Sequence, residues 1–429
     1  MAVLDPDQTL APEALQQRQL ERLRAMLGPV LADNAFYRVK LNQAGVNEPG
    51  DVDSIKAYRR LPFTTKDELS RDQSQHPPYG SLLTYSPDQY TRLHQTSGTT
   101  GQRLRWLDTE ASWDWWGRCW AAVYRAAGIS AADRLFFAFS FGPFIGFWSA
   151  CEGARQLGAL IIPGGGMSSL QRVEAILANQ ATVLVCTPTY ALHLAQVAQA
   201  AGLDLAGSTV HTTVHAGEPG ASLPATKARL EQAWGARCFD HAGATEVGAW
   251  GFECQAQDGV HLNESEFICE VVDPATDEPA QAGELVITNL GRTGMPVIRY
   301  RTGDRVELYV DNCACGCTYR RLQGGVTGRL DDALIVRGVN CYPSAVENIV
   351  HRFPQVVEFA VDVHRRNALD EVELRLELQG ADGAGVAAQI GHALHQSLGL
   401  RVAVEVVSEG SLPRFDLKAR RFTDHRKAD

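Results

Sequence analysis

The chain has 429 residues, a length that predicts two or three domains at roughly 150 residues each. Its 45% hydrophobic and 21% charged residues are typical of a folded, water-soluble protein and argue against global disorder. The net charge of −10 argues against nucleic acid as a partner, because nucleic-acid binders more often present a basic face. An acidic chain can still bind phosphate locally through clustered backbone N–H groups.

Two segments bear on secretion and membranes. The first twenty residues lack a basic segment followed by an apolar run, so we expect no secretory signal and a cytoplasmic protein. Residues 135–151 form a stretch of 17 uncharged positions, which approaches the length of a membrane span. Pro143 interrupts this stretch and Glu152 follows it directly. We therefore expect a buried strand, a loop and the start of a buried helix, with no membrane association.

Residues 1 to about 90 alternate amphipathic helical patterns, such as LQQRQLERLRAMLGPVLA, with polar turns. In LPFTTKDEL, either Thr64 or Thr65 can cap a helix whose first turn carries Asp67 and Glu68. Residues 1 to about 90 are therefore predicted to form several helices joined by turns.

From about 110 to 250, short apolar runs alternate with helical patterns. DRLFFAFS, LGALIIPGGG, ATVLVCTPT and STVHTTVHAGE are predicted as buried strands, and SSLQRVEAILANQ, YALHLAQVAQAAG and LPATKARLEQAWG as the helices between them. Such alternation predicts an α/β fold with a doubly wound parallel sheet. Ligands of such sheets bind at the carboxyl ends of the strands.

The pattern then changes twice. From about 260 to 330, FICEVVDP, GELVITNL and DRVELYV alternate in the manner of β-strands, which predicts a β-rich subdomain. After GRLDD, residues 328–332, helical and strand patterns of an α+β unit of about 100 residues follow. We therefore place an N-terminal domain at 1–330 and a C-terminal domain at 331–429.

The segment TSGTTG, residues 96–101, contains hydroxyl side chains and glycines but no apolar side chain. Its residues Ser97, Gly98, Thr99, Thr100 and Gly101 can direct backbone N–H groups and hydroxyls at one anion, most often a phosphate. The Walker pattern is absent. Taken alone, the segment fits a phosphate loop and a polar surface turn equally well.

Three later residues supply the partners that a phosphate loop needs. Thr245 and Glu246 end HAGATE, and a carboxylate there can hold Mg²⁺ against phosphate oxygens. Asp304 in RYRTGD can accept the two hydroxyls of a ribose. Lys418 in LPRFDLKARR can stabilise charge where a carboxylate meets a phosphate. Each could be an ordinary surface residue, but their combination and order favour a nucleotide site.

These blocks together resemble the phenylacetate–CoA ligase-like branch of the adenylate-forming superfamily, which includes acyl- and aryl-CoA synthetases, adenylation domains and luciferases. The resemblance covers nearly the whole chain, through NAFYRVKLNQAGV, LPFTTKDEL, TSGTTG, HAGATEVG, MPVIRYRTGD, GRLDDALIVRGVNCYPSAVE and LPRFDLKARR. It implies a large N-terminal domain with doubly wound sheets and a β-rich subdomain, and a small mobile α+β C-terminal domain that acts as a lid.

The resemblance also implies a two-step reaction. A carboxylic acid attacks ATP to give an acyl-adenylate and pyrophosphate, and the thiol of coenzyme A then takes the acyl group. Under this resemblance, residues 97–101 cradle the phosphates, and Glu246 helps hold Mg²⁺. The adenine and acyl sites are lined by Gly217, Glu218, Asp240, His241 and Ala242.

Further roles follow from the same resemblance. Asp304 would bind the ribose with Arg329 nearby, Asp331 or Asp332 would be the hinge, and Lys418 would act only in adenylation. The family usually has glycine before this lysine, whereas this chain has Leu417. That departure bears on the flexibility of the segment more than on the identity of the lysine.

A cysteine cluster forms a separate feature. Cys254, His261, Cys313 and Cys315 have the ligand chemistry of a structural Zn²⁺ site. The C-x-C spacing is tighter than the usual C-x₂-C, but the branch often shows a similar CxCG segment. Cys317 is either a substitute ligand or a bystander. The alternative is a group of reduced, partly buried thiols.

An acyl pocket is predicted in the aromatic stretch FSFGPFIGFW, residues 139–148. Phe141, Phe144 and Phe147 can wall a flat apolar acid, together with Ala242 and Gly243. His215 and His241 could orient a polar ring substituent. Each of these side chains could equally be part of the core. The prediction is a small aromatic or aryl-alkyl carboxylic acid.

Three functions remain open from the sequence. The acyl group could go to coenzyme A, or instead to a carrier-protein thiol or an amine. A non-catalytic nucleotide-binding protein is the third reading, and the presence of Glu246, Asp304 and Lys418 argues against it. A homodimer is implied by the resemblance alone.

Overall fold

The computed structural model has an α/β architecture with several sheets. It describes residues 4–96, 103–309, 311–330, 334–336, 339–366, 369–380, 382–399, 402–415 and 419–427. The helices are α1 Pro12–Asp33, α2 Ala35–Gln43, α3 Ile55–Tyr58, α4 Lys66–Gln75, α5 Glu110–Ala126, α6 Ile145–Leu157, α7 Ser169–Ala178, α8 Pro188–Ala200, α9 Pro224–Trp234, α10 Pro343–Val350 and α11 Gly383–Leu398.

The strands follow the same chain order. They are β1 Arg92–Gln95, β2 Arg105–Asp108, β3 Arg134–Phe137, β4 Leu160–Pro163, β5 Val183–Cys186, β6 Thr212–His215, β7 Arg237–Ala244, β8 Gly248–Glu253, β9 Val260–Leu262, β10 Phe267–Val272, β11 Ala282–Asn289, β12 Tyr300–Glu307, β13 Arg321–Leu322, β14 Gly328–Arg329, β15 Leu334–Val336, β16 Val339–Cys341, β17 Val356–Arg366, β18 Leu369–Leu378, β19 Val402–Val407 and β20 Phe422–Asp424.

The largest sheet combines a parallel half and an antiparallel half. Within the described ranges, its strands run in the order β13-β9-β8-β7-β6-β5-β3-β4. β4, β3, β5, β6 and β7 are parallel neighbours, whereas β8, β9 and β13 pair in antiparallel fashion. Helices α6 to α9 connect the parallel strands, as parallel pairing requires. The predicted parallel α/β sheet is confirmed for this half.

The two faces of this sheet pack against different apolar cores. Val185 and Val214 belong to a core shared with α5, whereas Leu184 and Cys186 belong to a core shared with α7, α8 and α9. This alternation follows from the two-residue period of a strand. The outermost strand, β4, departs from the predicted burial, because Leu160 is 57% exposed at the edge of the sheet.

The region from about 260 to 330 is rich in strands, as predicted, but these strands divide between two sheets. β10, β11, β12 and β14 form an antiparallel sheet of their own. β9 and β13 instead extend the large sheet beside β8. Because Arg321 of β13 lies opposite His261 of β9, the loop before β13 returns to His261.

The N-terminal helices attach to the second sheet through a capped turn. Thr65, not Thr64, caps α4: its Oγ1 accepts from Glu68 N at 3.3 Å, and Glu68 Oε2 accepts from Thr65 N at 2.8 Å. Thr64 instead exchanges backbone hydrogen bonds with Arg299 and Arg301, each 2.9 Å long. The predicted helix start therefore doubles as a tether to β12.

The C-terminal part of the chain has its own core. β17 pairs with β18 in antiparallel fashion, and β19 and β20 add parallel strands at either edge. α10 and α11 contribute apolar side chains to this core, which begins at Leu334. This start falls just after the segment in which the domain boundary is predicted.

The uncharged stretch 135–151 becomes most of β3, a connecting loop and the first half of α6, as predicted. Among the described residues, no helix is both long and apolar enough to cross a membrane.

Candidate active site

The carboxyl ends of β5, β6 and β7 lie side by side at one edge of the large sheet. Cys186 is in register with His215, and His215 is in register with Asp240. Gly217 follows β6 with a φ of +98°, a conformation that favours glycine, and directs the chain into Glu218. Parallel strand ends of this kind are where α/β proteins bind ligands.

The Glu218 carboxylate is engaged at both oxygens. Oε1 accepts a hydrogen bond of 2.9 Å from Thr189 N in the first turn of α8. Oε2 accepts a hydrogen bond of 2.8 Å from Ala419 N, at the far end of the chain. Glu218 therefore joins the strand edge to the residue that directly follows Lys418.

Asp240 lies in a buried, acidic environment. Burial raises the pKa of its carboxyl to about 7, and the Glu253 carboxylate acts in the same direction. Lys227 Nζ lies 2.6 Å from Glu253 Oε1 and partly offsets this effect. A carboxyl with a pKa near neutrality can either donate or accept a hydrogen bond at the strand edge.

The two predicted site histidines lie on opposite faces of the sheet. His215 Nδ1 lies 3.1 Å from Cys186 O, and His241 Nδ1 lies 2.7 Å from Gly251 O. Each contact places the proton on Nδ1, and burial lowers both pKa values to about 4, so both rings are neutral. His241 packs on Trp120 with ring centroids 4.1 Å apart.

The turn after β7 positions Thr245 and Glu246. Arg292 donates to the carbonyl oxygen of Thr245 at 2.7 Å and to that of Glu246 at 3.4 Å. The same guanidinium pairs with Asp108 and is fully buried. Arg292 was not anticipated from the sequence, although it fixes the backbone of the predicted Mg²⁺-binding carboxylate.

Asp304 and Arg329 face each other on neighbouring strands. They are register partners of β12 and β14, and Arg329 Nη1 lies 3.2 Å from Asp304 Oδ1. Burial raises the pKa of the nearby Tyr300, and Glu246 and Asp304 raise it further. Arg329 acts on the Tyr300 pKa in the opposite direction.

Three parts of the predicted site lie outside the described residues: the phosphate loop Ser97, Gly98, Thr99, Thr100 and Gly101, the hinge Asp331 and Asp332, and Lys418. The base of the loop is described. Thr96 N donates to Leu104 O at 3.0 Å, and Leu104 N donates to Thr96 Oγ1 at 3.1 Å. The two ends of the predicted phosphate loop are thus held together beside β1 and β2.

The aromatic stretch before α6 forms a ring cluster. Phe139 stacks on Phe147 with centroids 3.8 Å apart, and it also contacts Phe141 at 4.9 Å. Trp148 packs on Phe141 at 4.6 Å. Phe144 lies at the start of α6 with its ring beside Gly142. The cluster thus joins two of the three predicted pocket phenylalanines through Phe139.

Four predicted metal ligands converge near the loop before β13. The ligand atoms of Cys254, His261, Cys313 and Cys315 all lie within 4.8 Å of one another, and Cys317 is not part of this group. Cys254 Sγ lies 3.6 Å from Cys313 Sγ, and Cys315 Sγ lies 3.5 Å from His261 Nε2. A tetrahedral zinc with ordinary bond lengths has S–S and S–N edges of about 3.5–3.8 Å.

The surroundings of this cluster also fit a metal. His261 Nδ1 lies 3.1 Å from Tyr319 O, which leaves Nε2 as the ligand atom. Cys315 N and Cys317 N donate to the sulfurs of Cys313 and Cys315, respectively. Cys317 therefore contributes its backbone N–H, while its thiol lies outside the ligand group.

Proteins of known function resemble this chain over its full length. The AMP-binding enzyme C-terminal domain family matches residues 338–426. Phenylacetate-coenzyme A ligase of Pseudomonas putida is 32% identical over 100% of this chain and 98% of its own length. The phenylacetate-coenzyme A ligase of Escherichia coli strain K12 is also 32% identical, over 99% of this chain and 98% of its own length.

A solved structure of 2-hydroxyisobutyryl-CoA ligase in the postadenylation state, in complex with R3-HIB-AMP, superposes with a TM-score of 0.92. It is 29% identical and covers 99% of this chain and 94% of its own. Because full-length identity extends to relatives in two bacteria and the fold matches over the same span, the chain belongs to the phenylacetate–coenzyme A ligase family of adenylate-forming enzymes.

Proposed function

We propose that the protein activates a small aromatic carboxylic acid with ATP, releases pyrophosphate, and transfers the acyl group to coenzyme A. The observation that carries this proposal is the full-length likeness to phenylacetate-coenzyme A ligases at 32% identity. The aromatic cluster of Phe139, Phe141 and Phe147 supports a flat apolar acid as the substrate.

In this proposal, different segments of the chain bind different parts of ATP and of the acid. Residues 97–101 hold the ATP phosphates, and Asp304 holds the ribose with Arg329 beside it. Gly217 and residues 240–242 line the adenine and acyl sites, whereas Glu218 beside them is engaged by Thr189 and Ala419. Lys418 lies at the acyl–phosphate junction, where an ammonium stabilises the charge that develops during adenylation.

Glu246 is the residue that would hold Mg²⁺. The turn of Thr245 and Glu246 is half-buried and tethered by Arg292, so this carboxylate is positioned before any nucleotide binds. A bound Mg²⁺ would neutralise phosphate charge at this point. The contribution of the chain is to fix the backbone of Glu246 in the turn after β7.

The cysteine–histidine cluster would hold a structural Zn²⁺. Its four donors are all supplied by the protein, as is usual for structural rather than catalytic zinc. A zinc ion there would tie the end of β8 and β9 to the loop before β13. It would stabilise the fold and take no part in acyl transfer.

The direct test is ATP–pyrophosphate exchange across a panel of acids, followed by mass spectrometry of the thioester. We expect exchange with benzoic or arylacetic acids and a CoA thioester as product. Exchange confined to long-chain fatty acids would overturn the aromatic assignment. If the acyl-adenylate reacts with a carrier protein or an amine and not with free CoA, the acceptor is that carrier protein or amine instead of CoA. Light scattering would establish whether the protein is a homodimer.

A further inference from the structure

The Glu218 carboxylate lies where three separate segments meet. Its two oxygens accept from Thr189 N of α8 and from Ala419 N of the C-terminal segment, at 2.9 and 2.8 Å. Thr189 lies in the first turn of α8, so its N–H is one of the donors left without a partner inside the helix. α8 therefore orients Glu218, and the remaining oxygen of Glu218 is directed at the C-terminal segment.

Ala419 directly follows Lys418. Successive Cα atoms are about 3.8 Å apart, so fixing Ala419 also restricts the position of the lysine backbone. The hydrogen bond uses a backbone N–H and a charged acceptor, a type that is stronger than a neutral one. Glu218 thus holds the residue that is covalently next to the predicted catalytic lysine.

Arg421 makes a second attachment two residues further along. Its Nε donates to Glu358 at 2.6 Å, and its Nη1 donates to Glu347 at 3.0 Å. Nη1 also lies 3.4 Å from Thr189 Oγ1. The side chain is only 7% exposed. Arg421 thereby holds the segment against α10 and β17, and its guanidinium reaches the same threonine whose N–H binds Glu218.

Further polar contacts join the two parts of the chain. Thr226 Oγ1 lies 2.7 Å from His351 Nδ1, and Arg229 donates to Val356 O at 2.9 Å. Polar contacts between domains are typical of surfaces that separate and rejoin. Of the contacts described above, those of Ala419 with Glu218 and of Arg421 with Thr189 involve the residues that follow Lys418 most closely in the sequence.

We propose that Glu218 and Arg421 are positioning residues for adenylation: Glu218 latches the segment that follows Lys418 and releases it for thioester formation, and Arg421 fastens that segment to α10 and β17. This inference rests on the proposed function, in which Lys418 serves the first step alone. In it, Glu218 acts through a hydrogen bond to the protein backbone rather than through contact with the nucleotide. If the C-terminal part turns away for the second step, Ala419 loses its contact with Glu218 and Arg421 loses its contact with Thr189 at the same time.

The test separates the two half-reactions. We compare Glu218→Ala, Glu218→Gln, Arg421→Ala and Arg421→Lys in acyl-adenylate formation and in thioester formation from pre-made acyl-adenylate. Loss of a charged hydrogen bond should slow adenylation by about 10- to 100-fold. In the Glu218 variants the thioester step should stay within about twofold, and Glu218→Gln and Arg421→Lys should recover part of the lost rate. The melting temperature of Arg421→Ala is measured beside its rates, because this variant leaves Glu347 and Glu358 without their buried partner.

Arg420→Ala is the matched control. Arg420 lies between Ala419 and Arg421 and is exposed. The substitution therefore removes the same charge from the same segment without removing a latch contact. It should leave both half-reactions unchanged. The KM for ATP should also stay constant in the Glu218 variants.

Three results would overturn the latch. A raised KM for ATP with an unchanged kcat would make Glu218 a nucleotide ligand. An equal fall in both half-reactions, or an Arg420→Ala defect as large as that of Arg421→Ala, would remove the selective role. If the unaltered protein activates no acid, the proposed function fails on its own. The latch is then judged by hydrogen exchange of α10, which must increase in Glu218→Ala and not in Arg420→Ala.

Discussion

Arg292 and Asp108 form a fully buried, two-point ion pair between β2 and the loop after β11. Arg292 Nε lies 2.8 Å from Asp108 Oδ1, and Nη2 lies 2.7 Å from Oδ2. The guanidinium lies over the rings of Trp106 and Trp116, at 5.0 and 5.5 Å. Its remaining donor, Nη1, reaches the Thr245 carbonyl, so the pair also fixes the turn that carries Glu246.

The first prediction concerns this pair. Arg292→Ala leaves the Asp108 carboxylate buried without its partner and should cost about 3–5 kcal/mol in the free energy of unfolding. Arg292→Lys should lower adenylation more than its stability loss explains, because a lysine cannot hold both Asp108 and the Thr245 carbonyl. Denaturant unfolding and ATP–pyrophosphate exchange measure the two effects.

An exposed ion pair provides the control for this prediction. Arg155 pairs with Glu152 on the surface of α6, and its side chain is 63% exposed. Arg155→Ala should change stability by no more than about 1 kcal/mol. Equal losses in Arg292→Ala and Arg155→Ala would contradict the special role of the buried pair.

The second prediction concerns Lys418. Lys418→Ala should reduce acyl-adenylate formation by about 100-fold or more, which corresponds to roughly 3 kcal/mol of transition-state stabilisation. Thioester formation from pre-made acyl-adenylate should continue at the unaltered rate. Single-turnover assays of each step provide the measurement, and equal losses in both would show that the lysine serves more than adenylation.

The third prediction concerns the cysteine cluster. Protein purified without chelators should contain close to one equivalent of zinc, because four suitable donors already converge. Cys313→Ser should lose this zinc and lower the melting temperature. Cys317→Ser should retain it, because the thiol of Cys317 is outside the ligand group. Less than about 0.2 equivalents of zinc in the unaltered protein would exclude the site.

Local patterns predicted the elements of this fold well. The start of α4 was predicted to within one residue, with Thr64 or Thr65 as the cap, because capping signals involve residues only a few positions apart. The alternating strands and helices from 110 to 250 were readable because their periods are local. The cysteine and histidine set was readable because few other functions bring these residue types together.

The sequence did not predict contacts between residues that are far apart in the chain. The sequence does not show that β9 leaves the β-rich region for the large sheet, or that β4 lies at its edge. Arg292 looks like an ordinary turn residue in NLGRTGMP, and its partner Asp108 is 184 positions away. The contact of Glu218 with Ala419 spans 201 positions. Such contacts depend on how strands are ordered, which a single sequence does not encode in its periodicity.

The last prediction concerns acid stability. Burial lowers the pKa values of His94, His215 and His241 to about 4, whereas a histidine in an unfolded chain titrates near 6.5. Between these values, the unfolded chain binds protons that the folded protein does not. The contribution of these neutral histidines to the free energy of unfolding is therefore fully present above about pH 6.5. It is lost as the pH falls toward 4, by up to roughly 1.4 kcal/mol per pH unit for each histidine.

Urea unfolding at pH 7.5, 6.0 and 5.0 measures this slope. His94→Phe keeps a ring stacked on Trp113 and removes one titrating group, so its slope should fall by about one proton. His392→Asn changes an exposed residue of α11 and should leave the slope as it is. Because the raised pKa of Asp240 gives a slope of opposite sign over this range, the slopes of the variants are compared with that of the unaltered protein. An unchanged slope in His94→Phe would mean that His94 gains a proton in the folded protein.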